Sequence, residues 1–267
     1  MHIVVCVKQI LDPNLPPAKF KVDSKSRQVI PPEGIPLVVN PYDAQAVEMA
    51  VRLKEKNGGK ITAVSLGGSE AVSAVKYALS LGADEGIALS DEAFAGSDSR
   101  AVAHILGRAI QKIGVFDLVL CGRQAADWDE GLTGAMLAHE LGIPMISLVK
   151  AIESVDGQWR FTRVISGGEQ LFAVSLPALA TITNEAPQVR LPTGWGIISA
   201  NRKQIPVWNS GDIGVDASRV GGGAAGRKLI ELSAPQRSRN CAIIGGETVA
   251  DAAEKLARKL SETGVLL

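Results

Sequence analysis

Apolar positions along the first part of the chain follow two alternating rhythms. Short, predominantly apolar runs at Ile3-Val4-Val5-Cys6-Val7, Leu37-Val38-Val39, Ile61 to Leu66, Ile87 to Leu89 and Phe116 to Cys121 read as strands buried on both faces. Between them the spacing turns helical. Ala46, Val47, Ala50 and Leu53 follow Asp43, and Val72, Val75, Ala78 and Leu79 lie between Ser69 and Gly82. Val102, Ile105, Leu106 and Ile110 follow Ser97 and Asp98, and Met136, Leu137 and Leu141 precede Gly142. Asp43, Ser97 and Asp98 are residues that cap helix starts, while Gly82 and Gly142 suit left-handed helix ends. Strand and helix in alternation imply a parallel sheet built from βαβ units.

From about Ile146 the period changes to two, through Leu148 to Ser154, Trp159 to Ile165 and Leu171 to Leu176. Asp156-Gly157 and Gly167-Gly168 are turn signals between these runs, so the pattern predicts an antiparallel meander. Beyond Thr183 periodicity is lost for about sixty residues, which hold Pro187, Pro192, Pro206 and Pro235 and the run Gly221-Gly222-Gly223. So long an aperiodic stretch suits an arm that needs a partner better than a loop inside a compact domain. Thr248 to Leu260 then reads as an amphipathic helix with Val249, Ala252, Ala253, Leu256 and Leu260 on its apolar face. The expected fold class is α/β: a Rossmann-like parallel sheet with helices on both faces, an antiparallel meander and an extended C-terminal arm. The expected divisions are 1–183 for the α/β domain with its meander, 184–245 for the arm, and 246–267 for the final helix.

Composition narrows the function classes. The 267 residues are 46% apolar, enough for one sizeable core, and Lys+Arg balances Asp+Glu at 28 each. No global positive field exists to attract nucleic acid or an anionic membrane. No apolar run approaches the ~20 residues of a membrane span. The start leads directly into a strand without a basic leader, so the expected location is cytoplasmic. Cys6, Cys121 and Cys241 are widely spaced and mostly in apolar surroundings, which favours reduced thiols over a disulfide or a metal site.

Ligands of open parallel sheets bind beyond the carboxyl ends of strands, where the strand order reverses. Four segments meet that description: Cys6-Val7-Lys8, Asn40-Pro41-Tyr42-Asp43, Leu66-Gly67-Gly68, and the loop from Gly122 to Thr133. Together they could enclose an adenine nucleotide, with backbone amides on the purine edge and a helix start near Leu132 and Thr133 facing a phosphate. Asp127, Asp129 and Glu130 stand just before that helix and repel a phosphate unless they point outward or cap the helix. Each segment also has a plainer reading, Gly67-Gly68 as a strand-to-helix turn and Asn40-Pro41 as a helix start. No GxGxxG fingerprint or P-loop is present. Ser65-Leu66-Gly67-Gly68-Ser69 faintly resembles the pyrophosphate loop of ATP-splitting hydrolases but lacks its continuation. No histidine stands at motif spacing from a nucleophile or acid, so a carrier or scaffold fits better than an enzyme.

Several stretches, in order, resemble the beta (small) subunits of the electron-transfer flavoprotein family. They are Val5-Cys6-Val7-Lys8-Gln9, Asn40-Pro41-Tyr42-Asp43-Ala44-Gln45-Ala46-Val47-Glu48, Ala63-Val64-Ser65 and Leu81-Gly82-Ala83-Asp84. Leu118-Val119-Leu120-Cys121-Gly122-Arg123-Gln124-Ala125 resembles the family's nucleotide loop. Gly167-Gly168 with Leu176-Pro177-Ala178 resembles its signature hairpin, and Asn184-Glu185 to Ile197 with Gly211-Asp212-Ile213-Gly214-Val215 resembles its arm. The resemblance implies a heterodimer in which an alpha subunit holds a redox-active FAD and this chain holds a second nucleotide, AMP in ordinary members and FAD in electron-bifurcating ones. Electrons would pass from a flavin-containing dehydrogenase to the alpha-subunit FAD and on to a membrane-linked or soluble acceptor. Carried over by position, the nucleotide contacts are Cys6, Asn40, Asp43, Leu66, Gly122, Gln124, Asp129 and Thr133. Leu191 matches the leucine that anchors the dehydrogenase.

The chain departs from the family pattern in places. Thr133 keeps the AMP-type threonine but the usual Asn-Gln before it is replaced, Val164 and Ser166 stand where the hairpin has carboxylates, and Pro13 stands where an aromatic follows the first Asp. The basic run after the recognition loop is thinned to Ser199-Ala200-Asn201-Arg202-Lys203, which points to a different partner. AMP and FAD both stay open as the ligand, beside a stand-alone nucleotide-dependent hydrolase or a stress-type nucleotide-binding protein.

Overall fold

The computed structural model describes residues 1–234 and 241–265. Pro235 and the last two positions of the expected 246–267 segment lie outside the described residues. In chain order, β1 (His2–Cys6) is followed by four short strands, β2 (Gln9–Ile10), β3 (Lys21–Asp23), β4 (Gln28–Ile30) and β5 (Val38–Val39). Alternation then sets in with α1 (Pro41–Asn57), β6 (Lys60–Leu66), α2 (Ser69–Leu81), β7 (Glu85–Leu89), α3 (Ser99–Ile113), β8 (Leu118–Gly122) and α4 (Thr133–Leu141). The meander is β9 (Met145–Val155), β10 (Gln158–Ile165) and β11 (Gly168–Val174), followed by β12 (Ala178–Ile182). Then come α5 (Gly194–Arg202), β13 (Val207–Trp208), α6 (Ser210–Ile213) and α7 (Val249–Glu262).

Nine strands form one sheet in the order β11-β10-β9-β12-β8-β1-β6-β7-β13. Only the β9-β10-β11 pairings within it are antiparallel. Residues of β1 and its neighbours alternate between two buried layers, as a pleated strand covered on both faces must. Ile3 and Val5, with Ile61, Ala63, Leu118 and Leu120, pack in the layer that holds Ala46, Val47 and Ala50 of α1 and Val75 and Ala78 of α2. Val4 and Cys6, with Val64, Val119 and Cys121, pack in the layer that holds Ile105 and Ile110 of α3 and Leu137 of α4. The Rossmann-like α/β arrangement expected from the apolar rhythm is the one observed.

Several elements were not legible in the pattern. Ala178–Ile182 forms a fully buried strand inserted parallel between β8 and β9, so the meander continues the main sheet. The stretch after Thr183, read as aperiodic, supplies α5 and the edge strand β13, whose Val207 and Trp208 pair with Ala88 and Leu89. At two residues β13 is too short to carry a period, and α5 spans only nine. At Gly196 of α5 an added Cβ would stand 2.4 Å from the Ser80 carbonyl oxygen, so glycine permits that approach to α2. Residues Met1–Leu232 form one compact unit and Ser233–Leu267 a second. The second unit contains α7, capped by Thr248 Oγ1 accepting the Asp251 N–H at 3.2 Å.

Caps follow the expected chemistry with one correction. Asp98 caps α3 by accepting the Ala101 N–H at 3.0 Å, and Gly142 ends α4 with φ 66°. Asp43 does not cap α1. Asn40 is the residue before the helix and Pro41 opens it, because a proline at the first helical position has no N–H to satisfy.

Phe161 of β10 is fully buried and packs in the same layer as Ile3 and Leu120, so the meander and the parallel strands share a core. Phe161→Ala is expected to cost about 3–5 kcal/mol in a single urea transition followed by circular dichroism. A loss below ~1 kcal/mol, or an earlier separate transition, would show that the meander stands apart.

Candidate functional site

β1 has β6 on one side and β8 on the other, and the chain runs outward from β6 to β7 before returning to β8. The strand order therefore reverses between β1 and β8, and their carboxyl ends flank a crevice. Asp43, in the first turn of α1, sits at its floor. Its Oδ2 accepts the Lys8 N–H at 2.9 Å and its Oδ1 the Gly122 N–H at 3.1 Å, so one carboxyl joins the ends of both strands. Burial pushes the Asp43 pKa up to about 7, against the lowering pull of Asn40, the two amides and Lys8. Gly122 leaves no room for a side chain. A Cβ there would lie 2.4 Å from Asp43 Oδ1 and 2.8 Å from the backbone carbon of Tyr42.

Asn40 holds the long loop after β8. Its Nδ2 donates to the Gln124 carbonyl at 2.8 Å and its Oδ1 accepts the Ala126 N–H at 3.2 Å. Arg123 lies over the Tyr42 ring at 5.3 Å and donates to Asn184 Oδ1 at 3.2 Å. The acidic residues before α4 each have a donor. Asp127 takes the Lys8 ammonium at 2.8 Å, Asp129 takes Gln124 Nε2 at 2.7 Å, and Glu130 takes Arg227 and the Ser99 hydroxyl. The repulsion that the sequence suggested is thus offset inside the protein. Leu132, the residue before α4, makes no side-chain cap, which leaves the first amide hydrogens of that helix without a side-chain acceptor.

These groups surround a cavity of about 690 Å³, within the ~300–1,000 Å³ usual for small-molecule sites. Cys6, Asn40, Asp43, Leu66, Gly122, Gln124 and Thr133 all line it. Asp129 does not; it turns at φ 51° and is engaged by Gln124. Of the Leu66-Gly67-Gly68 segment only Leu66 reaches the cavity, and the Gly68 N–H is taken by Glu70 at 2.9 Å. Cys6 and Cys121 are buried neighbours, the contact with Cys6 and burial together holding the Cys121 thiol well above its ordinary value, whereas Cys241 is exposed. Leu191 lies outside the cavity and is 87% exposed. The preceding Arg190 is clamped by Glu48 at 2.8 Å and by Glu55 at 2.5 Å.

Sequence reasoning missed two walls. Ser97 to Ser99, at the end of the loop after β7 and the start of α3, had a legible signal, since that loop also follows a strand's carboxyl end. Arg227 to Leu229 had none, because only the tertiary return of the chain brings them there. A second cavity of about 500 Å³ lies at the opposite, amino-terminal ends of β6 and β7, where Lys60 and Glu85 pair at 2.8 Å. Among the described residues no helix is long and apolar enough to cross a membrane.

A family model described as the electron transfer flavoprotein domain matches residues 29–212. The chain is 34% identical to an electron transfer flavoprotein subunit beta of Thermoanaerobacterium thermosaccharolyticum, over the full length of both. It is 34% identical to the caffeyl-CoA reductase-Etf complex subunit CarD of Acetobacterium woodii, again over the full length of both. Protein FixA of Azotobacter vinelandii is 36% identical over 222 residues, 81% of this chain and 77% of that one. The family match takes in Asn40 to Thr133 and Leu191 but not Cys6 or Arg227.

Asp43→Asn tests the buried carboxyl. The native protein keeps the Asp43 proton up to about pH 7, while the unfolded chain releases it near 3.8, so between these values the native state holds more protons and stability falls as pH rises. The variant lacks this titration. The stability of the wild type minus that of the variant should therefore decline from about pH 4 to 7, by at most about 1.4 kcal/mol per pH unit, in urea unfolding at fixed salt. A flat or rising difference would mean that Asp43 stays ionised throughout.

Proposed function

The chain belongs to the electron-transfer flavoprotein family, among its beta subunits, and on that premise we propose that it pairs with an alpha subunit carrying FAD and itself binds AMP. In this reading the heterodimer takes electrons from a flavin-containing dehydrogenase and passes them to a membrane-linked or soluble acceptor, in the cytoplasm. The observation that carries it is the convergence of Cys6, Asn40, Asp43, Leu66, Gly122, Gln124 and Thr133 on one cavity at the reversal of strand order.

The chain's own residues have separable tasks. Asp43 and Asn40 hold the ends of β1 and β8 and the loop between Arg123 and Ala126, which keeps backbone amides and carbonyls in place for a purine edge. The start of α4, with the Thr133 hydroxyl and its uncapped amide hydrogens, is the place for phosphate. AMP here supplies a structural anchor, without redox chemistry. A second FAD in this chain is the alternative, and the volume of the cavity, about 690 Å³, favours it. The hydrolase reading rested on the Gly67-Gly68 turn, which stays outside the cavity.

Residues 184–245 serve in this proposal to wrap the alpha subunit and to present the docking loop, with 246–267 as a separate final helix. The Glu48-Arg190-Glu55 clamp fixes the chain directly before Leu191, and Trp195 of α5 is also 73% exposed. Two large apolar side chains held outward on a fixed base suit a partner-docking surface.

Two measurements test these assignments. Mass spectrometry of nucleotides released by acid from the co-expressed heterodimer should find one AMP and one FAD. Two FAD molecules would select the alternative, and no nucleotide beyond the alpha-subunit FAD in a folded complex would sink the cavity assignment. Leu191→Ala should weaken electron transfer from the cognate dehydrogenase about tenfold to a hundredfold, the range of a small interface anchor. Flavin content and dithionite reduction should stay unchanged; equal loss of enzymatic and chemical reduction would move Leu191 from docking to structure.

A further inference from the structure

The wall of the cavity formed by Arg227 to Leu229 stands at the end of a strap of chain. Residues 221–226 are laid along the loop after β7 by backbone hydrogen bonds. Gly221 N–H donates to Ser97 Oγ at 2.9 Å, Gly222 N–H to the Ala95 carbonyl at 2.9 Å, and Gly226 N–H to Asp98 Oδ2 at 2.7 Å. Arg100 also donates to the Ala224 carbonyl at 3.0 Å. Gly221 has φ 75°, and a Cβ on it would stand 2.7 Å from the Ala93 carbonyl oxygen, so the close approach needs glycine. These contacts fix the strap up to the residue before Arg227.

Arg227 then lines the cavity, its Nη2 on the Glu130 carboxylate, which also accepts the Ser99 hydroxyl. The Arg227 and Glu130 side chains are 57% and 32% exposed, and an ion pair so open to water adds little stability. Its effect is positional. A guanidinium offers five N–H donors, and among the described residues Nη2 is the only nitrogen of Arg227 with a partner. Of the other cations on the wall, Lys8 and Arg123 are drawn aside by Asp127 and by Tyr42, Gln124 and Asn184, while Lys228 follows Arg227 on the same strap and lacks its link to Glu130.

We infer that Arg227 is an anion-binding residue of this cavity: held by Glu130, it offers its remaining donors to the phosphate of the adenine nucleotide whose other contacts come from the start of α4. The inference rests on the nucleotide reading above. A planar fork matches two phosphate oxygens, and a charge-assisted pair of this kind is stronger than a neutral one. It also explains how Glu130, three residues before Thr133, can stand beside a phosphate: the same guanidinium faces both anions. Glu130 is then a positioning residue and Arg227 a ligand contact.

The test uses the full chain freed of nucleotide, with AMP and adenosine as probes in isothermal calorimetry. Arg227→Gln should raise the AMP Kd by roughly tenfold to a hundredfold and leave the adenosine Kd within about twofold. Arg227→Lys, which keeps the charge without the fork, should fall between wild type and Gln for AMP alone, and it stands in if the Gln variant does not fold. Glu130→Gln should weaken AMP by a few-fold with adenosine unchanged. Equal weakening of both probes, or no change in either, would overturn the inference while leaving the nucleotide reading intact. A wild-type chain that binds neither probe would remove that reading and the inference with it.

Discussion

The Asp43 carboxyl accepts the amide hydrogens of Lys8 and Gly122 at the point where β1 and β8 end. Backbone groups that leave a sheet need partners, and two that leave neighbouring strands in the same place would otherwise compete for water in a buried crevice. One side chain from the first turn of α1 satisfies both and so fixes helix, strands and the two departing loops as one body. The contact distance follows from Gly122, because a Cβ there would lie only 2.4 Å from Asp43 Oδ1. The cost is a carboxyl in low dielectric, and the raised pKa is the measure of it.

From this junction the rest of the cavity follows by short steps. Asn40, three residues earlier, holds the Gln124 to Ala126 backbone, and Gln124 in turn holds Asp129. Asp129 is better described as part of the loop's internal bracing than as a surface offered to a ligand. The charges in front of α4 are likewise matched from within the chain, by Lys8 for Asp127 and by Arg227 for Glu130. The helix start thereby keeps its favourable field for an anion even though three carboxylates precede it.

The parallel sheet was legible because strands covered on both faces are predominantly apolar, and Ile3 to Val7, Ile61 to Leu66 and Phe116 to Cys121 have that composition. The cavity's first residues were legible for a topological reason, as they stand at strand ends. Ala178 to Ile182 has the same composition, yet the turn signals before it belong to the meander and gave no reason to place it in the middle of the sheet. Arg227 shows the limit from the other direction. Its neighbours are glycine and lysine in an aperiodic stretch, and its place beside Glu130 depends on the hydrogen bonds that lay residues 221–226 over the loop after β7.

The position of β12 also bears on the order in which the chain can acquire its structure. β8 is a central strand, but its neighbour on the side away from β1 is residues 178–182, which a ribosome makes only after the whole meander. Until then the nascent chain carries an open hydrogen-bonding edge on a buried, apolar strand. Pairing partners so distant in sequence close slowly. Vectorial synthesis therefore leaves the half-built sheet exposed for the time needed to translate β9 to β11, the interval in which a chaperone has most to protect.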